Sequence, residues 1–167
     1  MARRVFFSFH YEDVWRVNQV RNANVVVGAQ DAGFYDHSEY LERGGASPDY
    51  IRRTIREKMA DTTVTVILIG ENTAERPWVR EEIRMSVERR NGLLGIFIHR
   101  LRTPQDPRPL LYELYPTMRP PIPAVPPEVF FPTYEWDKDL DRFRQAVEDA
   151  GIRADTQRFA YALRSWK

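Results

Sequence analysis

Short apolar runs alternate along this chain with segments in which apolar residues recur every three or four positions. The runs predict β-strands at residues 4–9, 33–36, 63–70, 93–98 and 128–131. Residues 63–70, "TVTVILIG", are almost continuously apolar and rich in β-branched side chains, which is typical of a strand buried on both faces of a parallel sheet. We therefore expect this strand near the centre of the sheet.

Five apolar stripes with helical spacing predict helices between and after these strands. Their members are Val14, Val17 and Val20; Ile51, Ile55 and Met59; Val79, Ile83 and Val87; Leu140, Phe143 and Val147; and Phe159, Leu163 and Trp166. Asp13, Ser47 and Asp137 precede three of the stripes and suit N-caps, and Pro48 suits the first turn of its helix. Gly151 is expected to end the fourth helix, since glycine is common just after the last turn.

The alternation of strands and helices predicts the fold class. Parallel strands joined by right-handed helical crossovers form one sheet that carries helices on both faces. We expect an α/β, flavodoxin-like, three-layer fold with a central parallel sheet of about five strands. A single domain would cover residues 1–167, with its core formed by about residues 2–100 and 128–150.

A proline-rich stretch interrupts this pattern. Residues 104–127 contain nine of the twelve prolines, which remove backbone donors and disfavour helix, so we predict an extended excursion over the surface. Apolar residues between positions 110 and 115 indicate a short helix or docked turn within it. Residues 152–167 are expected to form a C-terminal helical segment that packs back on the body.

Composition narrows the class of protein. With 43% apolar and 29% charged residues the chain is typical of soluble globular proteins, and no apolar run approaches the roughly 20 residues of a membrane span. A net charge of +1 gives no overall attraction to nucleic acid. The absence of cysteine excludes thiolate chemistry and fits a reducing compartment, so we expect a cytoplasmic protein that binds neither membranes nor nucleic acid.

Several familiar sites lack support in the sequence. The chain has neither the Gly-x-Gly-x-x-Gly pattern of dinucleotide-binding domains nor the Gly-Lys-Ser/Thr of phosphate-binding loops. His10, His37 and His99 are not spaced like a helical metal pair, so no metal site is predicted. A phospho-receiver is disfavoured because the first strand runs into aromatic residues where an acidic pair would be expected.

Trp78 and Glu82 are the pair of side chains that suggests a chemistry. They lie one helical turn apart, near the carboxyl ends of the strands where parallel sheets open a ligand crevice. A carboxylate beside an aromatic wall suits a developing positive charge, as in the oxocarbenium-like transition state of N-glycosidic bond cleavage. Spacing alone favours a structural interpretation, in which Trp78 covers the core edge and Glu82 pairs with an arginine such as Arg80 or Arg89.

Two stretches resemble Toll/interleukin-1 receptor (TIR) domains. "RVFFSFHYED" looks like their first box, in which an apolar strand runs into Ser-aromatic with an Asp a few residues on. "VILIGENTAERPWVREEI" is similar to the segment of NAD-cleaving TIR domains with Trp-x-x-x-Glu-(Ile/Leu) after an apolar strand, which places the family's catalytic glutamate on Glu82 and not on Glu81. Over about residues 2–100 the chain resembles the TIR-like, NAD-processing subunit of the Thoeris bacterial antiphage system.

The resemblance implies a TIR-like enzyme of the NAD+ glycohydrolase or ADP-ribosyl cyclase type. On sensing a phage-derived trigger it would cleave the nicotinamide–ribose bond of NAD+, which is the substrate, so no cofactor is expected. The product would be an ADP-ribose-derived messenger, typically cyclic, that activates a separate effector. The resemblance also leaves room for a homo-oligomer, because many TIR enzymes complete their site across a contact between protomers.

Site residues follow from the same resemblance. Glu82 would contact the ribose hydroxyls and stabilise the cation. The nucleotide pocket would be lined by Ser8, Phe9 and His10, walled by Trp78, and gated by Asp36 with the loop that follows it.

Two other functions stay open at this point. A TIR-like module could assemble with like domains without turning over any substrate, and a flavodoxin-like FMN protein would share the fold class. The proline-rich stretch and the short C-terminal part depart from the family pattern, which leaves partner surfaces and the product undetermined.

Overall fold

A computed structural model describes residues 3–22, 45–102 and 110–165. Within this part of the chain, four strands form one parallel sheet in the order β1-β2-β3-β4. The strands are β1 (Val5–Ser8), β2 (Val64–Ile69), β3 (Gly92–Phe97) and β4 (Thr133–Glu135). The predicted α/β class and parallel sheet are confirmed.

Helices connect and follow the strands. They are α1 (Val14–Asn22), α2 (Pro48–Met59), α3 (Pro77–Glu88), α4 (Leu110–Leu114) and α5 (Leu140–Ser165). The start of α2 is as predicted, because the Ser47 side chain accepts a hydrogen bond from the Tyr50 N–H and Pro48 fills the first helical position.

Helices cover both faces of the sheet, which confirms the three-layer arrangement. On one face, Phe7 of β1 and Ile96 of β3 pack in the same cluster as Val17 of α1 and Phe143 of α5. On the other face, α2 and α3 pack against the alternate residues of the strands, and Ile67 contacts the cluster around α3. All six residues of β2 are buried, as expected for a strand covered on both faces.

The strand predicted at residues 128–131 is wrong. This apolar segment forms a turn, in which the Val129 N–H donates to the Pro126 carbonyl oxygen. Pairing with β3 begins at Pro132, whose carbonyl oxygen accepts from the Gly95 N–H, and continues through Thr133–Glu135. Val129 is apolar because it packs against the cluster under α3, without entering the ladder.

The number of strands is four in the described residues, against about five predicted. The strand predicted at residues 33–36 lies outside the described residues.

Gly151 does not end a helix, because α5 continues through it from Leu140 to Ser165. A Cβ atom at Gly151 would lie 2.5 Å from Nε of Arg3. The Arg3 guanidinium crosses the helix at this point and pairs with Glu148 and Asp155 on either side. Gly151 is therefore explained by the close approach of Arg3, and the helical segment predicted after it is the second half of α5.

Two predicted N-caps are also corrected. Asp139, not Asp137, caps α5, since its Oδ1 accepts from the Arg142 N–H at 3.0 Å, while Asp137 accepts from the Asp139 N–H. Asp13 lies in a turn of 3-10 helix ahead of α1, and its buried carboxylate accepts a hydrogen bond from Arg16. The carboxylate also packs over Gly70, where a Cβ atom would be 1.9 Å from Asp13 Oδ2.

The described part of the proline-rich stretch contains the predicted short helix, α4, whose Tyr112 is buried. None of the helices in the described ranges is long and apolar enough to cross a membrane.

Candidate functional site

Ser8 and Glu82 meet at the carboxyl end of the first strand. Ser8 is the last residue of β1, and its Oγ donates a hydrogen bond to Glu82 Oε2 at 2.5 Å. Both side chains are buried, with exposed fractions of 0% for Ser8 and 4% for Glu82. The site therefore holds a carboxylate away from bulk water.

The packing of α3 brings Glu82 to this position. Val79 and Ile83 of α3 contact Ile67 and Ile69 of β2, which fixes one edge of the helix on the sheet. Because neighbouring positions on a helix are about 100° apart, Glu82 projects beside this stripe toward β1.

Trp78 occupies the other edge of α3. Its partly buried ring packs against the cluster formed by Phe6 and the apolar stripe of α2, and Arg52 lies 5.9 Å from the ring centroid. Trp78 therefore covers the edge of the core, as the structural interpretation of the sequence expected. It lies one helical turn from Glu82 and also borders the face of α3 on which Glu82 lies.

Glu81, the residue before Glu82, forms ion pairs with two arginines. Glu81 Oε1 lies 2.7 Å from Arg84 Nη2 and 3.3 Å from Arg52 Nε. The hydrogen bond from Arg84, followed by that from Arg52, holds the pKa of Glu81 below its usual range. The two adjacent glutamates thus have different environments, an arginine-paired surface for Glu81 and a buried serine hydroxyl for Glu82.

A second hydroxyl contact lies one turn further along α3. Ser86 Oγ is 2.8 Å from Thr65 Oγ1 of β2 and donates to the Glu82 carbonyl oxygen at 2.7 Å. Asn91 extends this network, because its Nδ2 donates to Thr65 Oγ1 at 3.2 Å. Polar contacts therefore fix α3 to both β1 and β2 at the same face of the sheet.

The loop after β1 contains the other predicted pocket residues. His10 is 2% exposed, and its Nδ1 lies 3.4 Å from Glu12 Oε2. Phe9 is partly buried and packs with Val5 and Phe7 on the opposite face of the sheet from Ser8. The structure therefore brings Ser8 and Glu82 together, with Trp78 one turn away, and directs Phe9 elsewhere. Asp36 lies outside the described residues.

Glu12 also joins the two loops that border this end of the sheet. Its Oε2 accepts from Asn72 Nδ2 at 3.3 Å and from Arg76 Nη2 at 3.4 Å, and Arg76 is the residue just before α3. Neither Glu12 nor Arg76 was predicted from the sequence, because a salt bridge across 64 residues leaves no local pattern.

A further buried group of titratable side chains lies at the end of β3. His99 is 3% exposed, and its ring centroid lies 4.5 Å from that of Tyr112 in an edge-on arrangement. Burial, reinforced by nearby Arg100 and Arg119, lowers the pKa of His99 to about 4, so the imidazole is neutral at pH 7. Among the described residues, no group of three or more His, Asp or Glu side chains could hold a metal ion.

Comparisons with known proteins give a consistent picture for the region that contains this site. The family model described as "Thoeris protein ThsB, TIR-like domain" matches residues 6–103. The chain is also 44% identical over 102 residues to a Bacillus cereus (strain MSX-D12) protein named "Putative cyclic ADP-D-ribose synthase ThsB1". This match covers 59% of the chain and 53% of the relative, so the chain spans about half the length of the curated relative that it matches.

Proposed function

The chain belongs to the family of the Thoeris protein ThsB TIR-like domain, and from this premise we propose that it is an NAD+-processing enzyme of antiphage defence. In this proposal it cleaves the nicotinamide–ribose bond of NAD+ and converts the rest of the molecule into an ADP-ribose-derived signal. The name of the Bacillus cereus relative, a cyclic ADP-D-ribose synthase, supports a cyclic product.

The observation that carries the proposal is the buried contact between Ser8 and Glu82. When the glycosidic bond breaks, nicotinamide leaves as a neutral base with the bonding electron pair, and the ribosyl C1′ becomes an oxocarbenium-like centre. A carboxylate already removed from bulk water interacts with that positive charge more strongly than it would in water. The geometry of Glu82 is therefore suited to stabilise the transition state.

The fate of the cation distinguishes a hydrolase from a cyclase. Attack by water on C1′ gives ADP-ribose and a proton, whereas attack by a nucleophile within the same ADP-ribosyl group gives a cyclic isomer. Both outcomes share the bond-breaking step and so share the need for Glu82. We propose the cyclic outcome, in which the product acts as a messenger on a separate effector after a phage-derived trigger activates the enzyme.

The other residues predicted to line the pocket differ in how well their positions suit that role. Trp78 packs beside the apolar stripe of α2 and would wall the nucleotide pocket from that side, and His10 lies buried in the loop after β1. The direction of Phe9 toward the opposite face of the sheet favours a packing role for that residue. A gate at Asp36 is retained as part of the proposal.

The two adjacent glutamates provide a matched test. In protein taken from phage-infected cells and supplied with NAD+, nicotinamide release measured by chromatography should fall about 10²- to 10³-fold in Glu82→Gln, as expected for the loss of one preorganised charge. Glu81→Gln makes the same change one residue away, on a carboxylate bound to Arg84, and should retain turnover. Equal losses in both variants, with intact folding by circular dichroism, would refute the assignment of Glu82.

A non-catalytic interaction module is the second candidate. The observation in its favour is the packing of Trp78 against the core cluster, which gives that residue a structural role without any ligand. This candidate predicts no Glu82-dependent change in NAD+ under any condition, and Glu82→Gln would then alter only the stability of the domain.

A further inference from the structure

Ser8 lies where the family resemblance expects a residue that lines the nucleotide pocket, but its hydroxyl is fully buried against Glu82. We propose that Ser8 is a positioning residue, whose hydroxyl fixes the Glu82 carboxylate for its encounter with the ribosyl cation and does not itself contact NAD+. This inference rests on the proposed function and assigns Ser8 a different part in it.

The direction of the hydrogen bond follows from the chemistry of the two groups. An ionised carboxylate only accepts hydrogen bonds, so the Ser8 hydroxyl must be the donor. The 2.5 Å separation between Ser8 Oγ and Glu82 Oε2 is that of a direct hydrogen bond.

Both ends of the contact are anchored, so the hydrogen bond restricts where the carboxylate lies. Ser8 is held within the parallel sheet, opposite Ile67 of β2. On α3, Val79 and Ile83 on either side of Glu82 pack against Ile67 and Ile69 of β2, which holds this part of the helix on the sheet. The carboxylate then has little freedom to change rotamer, which is how a preorganised group avoids reorganisation during the reaction.

The burial of Ser8 against Glu82 also separates two kinetic predictions. A residue that binds substrate directly should raise KM when it is truncated, whereas a residue that acts through Glu82 should lower kcat with little change in KM. We expect Ser8→Ala to lower kcat about 10- to 100-fold, the range for losing a hydrogen bond to a charged group. KM should stay within about twofold of its original value.

Ser86→Ala is the matched control. Both serines have an exposed fraction of 0% and lose one hydroxyl, but the Ser86 hydroxyl bonds Thr65 Oγ1 and the backbone carbonyl oxygen of Glu82, whereas the Ser8 hydroxyl bonds the Glu82 carboxylate. If burial of a serine on this face of the sheet were all that mattered, the two variants would lose similar activity. We expect Ser86→Ala to keep kcat within about threefold of the unmodified protein.

A double variant tests whether Ser8 acts through Glu82. In the Glu82→Gln background, Ser8→Ala should cause little further loss, because the carboxylate that it positions is already absent. If the fold loss of kcat in the double variant equalled the product of the two single losses, the proposal would be overturned. The same holds if Ser8→Ala mainly raised KM.

A spectroscopic measurement keeps this test separate from the proposed function. In protein labelled with 13C-glutamate, Ser8→Ala should move the side-chain carboxyl resonance of Glu82, assigned from its disappearance in Glu82→Gln, and leave the Glu81 resonance in place. Ser86→Ala should move neither. An unmoved Glu82 resonance would overturn the positioning role. An absence of NAD+ cleavage with a moved resonance would instead contradict the proposed function alone.

Discussion

Replacing Gly92 with alanine tests how closely α5 packs against the sheet. Gly92 begins β3, and a Cβ atom there would lie 1.9 Å from the carbonyl oxygen of Ala150 and 2.5 Å from its carbonyl carbon. Its φ lies outside the left-handed region, so the cost of Gly92→Ala comes from this overlap and not from backbone strain.

The magnitude follows from which atoms collide. A normal contact would require α5 to retreat by about 1 Å at Ala150, and neither colliding atom belongs to a flexible side chain. Retreat would loosen the burial of Ala150 and of Ala154 one turn later, both of which are 0% exposed. We expect a loss of about 3 kcal/mol in the free energy of unfolding, at the upper end of overpacking effects.

Urea unfolding followed by circular dichroism measures this loss. With a slope of about 2 kcal/mol per M, the midpoint for Gly92→Ala should fall by about 1.5 M. Gly45→Ala is the control, because no atom lies within 4 Å of a Cβ built at that exposed glycine, and it should be neutral or slightly stabilising. If Gly92→Ala and the unmodified protein unfolded at the same urea concentration, the close packing of β3 against α5 would be refuted.

Two further predictions concern buried polar groups. Asn91→Ala should destabilise the protein by about 2–3 kcal/mol in the same assay, because Asn91 bonds Thr62, Thr65 and Arg158; a loss under about 0.5 kcal/mol would contradict this network. For His99, the folded pKa of about 4 lies below the ordinary histidine pKa of 6.5, so its contribution to stability is complete above pH 6.5 and is lost as the pH falls toward 4. At about 1.4 kcal/mol per pH unit the loss approaches about 3 kcal/mol, and His99→Gln should flatten the decline in urea midpoints between pH 7 and 5. An equal decline in both proteins would contradict the burial of a neutral imidazole.

Elements with a strong local pattern were predictable from the sequence. The unbroken apolar run of β2 and the Ser47-Pro48 start of α2 depend on residues adjacent in the chain, and the structure has both within a residue or two of the prediction. The α3 stripe through Val79 and Ile83 likewise predicted which face of that helix docks on the sheet.

The errors occurred where distant contacts override local signals. Gly151 has the local signature of a helix end, but Arg3 approaches it from the opposite end of the chain, and the helix continues. Val129 and Phe131 are apolar because they pack beneath the α3 cluster, which a strand pattern cannot distinguish from pairing. Pairing with β3 begins only at the carbonyl oxygen of Pro132.

The candidate site was predictable only in part for the same reason. The family resemblance selected Glu82 over Glu81, which stays a prediction; in the structure Glu81 is bound to arginines and Glu82 is buried against Ser8. The hydrogen bond from Ser8 joins residues 74 positions apart, so only the fold could reveal that the two predicted residues contact each other.

The central claim is that Glu82 supports the conversion of NAD+ into a signal. The most direct test is chromatography of small molecules from phage-infected and uninfected cells that express the unmodified protein, Glu82→Gln or Glu81→Gln. We predict an ADP-ribose-derived species that requires infection, is absent with Glu82→Gln and is retained with Glu81→Gln. Unchanged NAD+, nicotinamide and ADP-ribose species in infected cells that contain the folded, unmodified protein would contradict the claim.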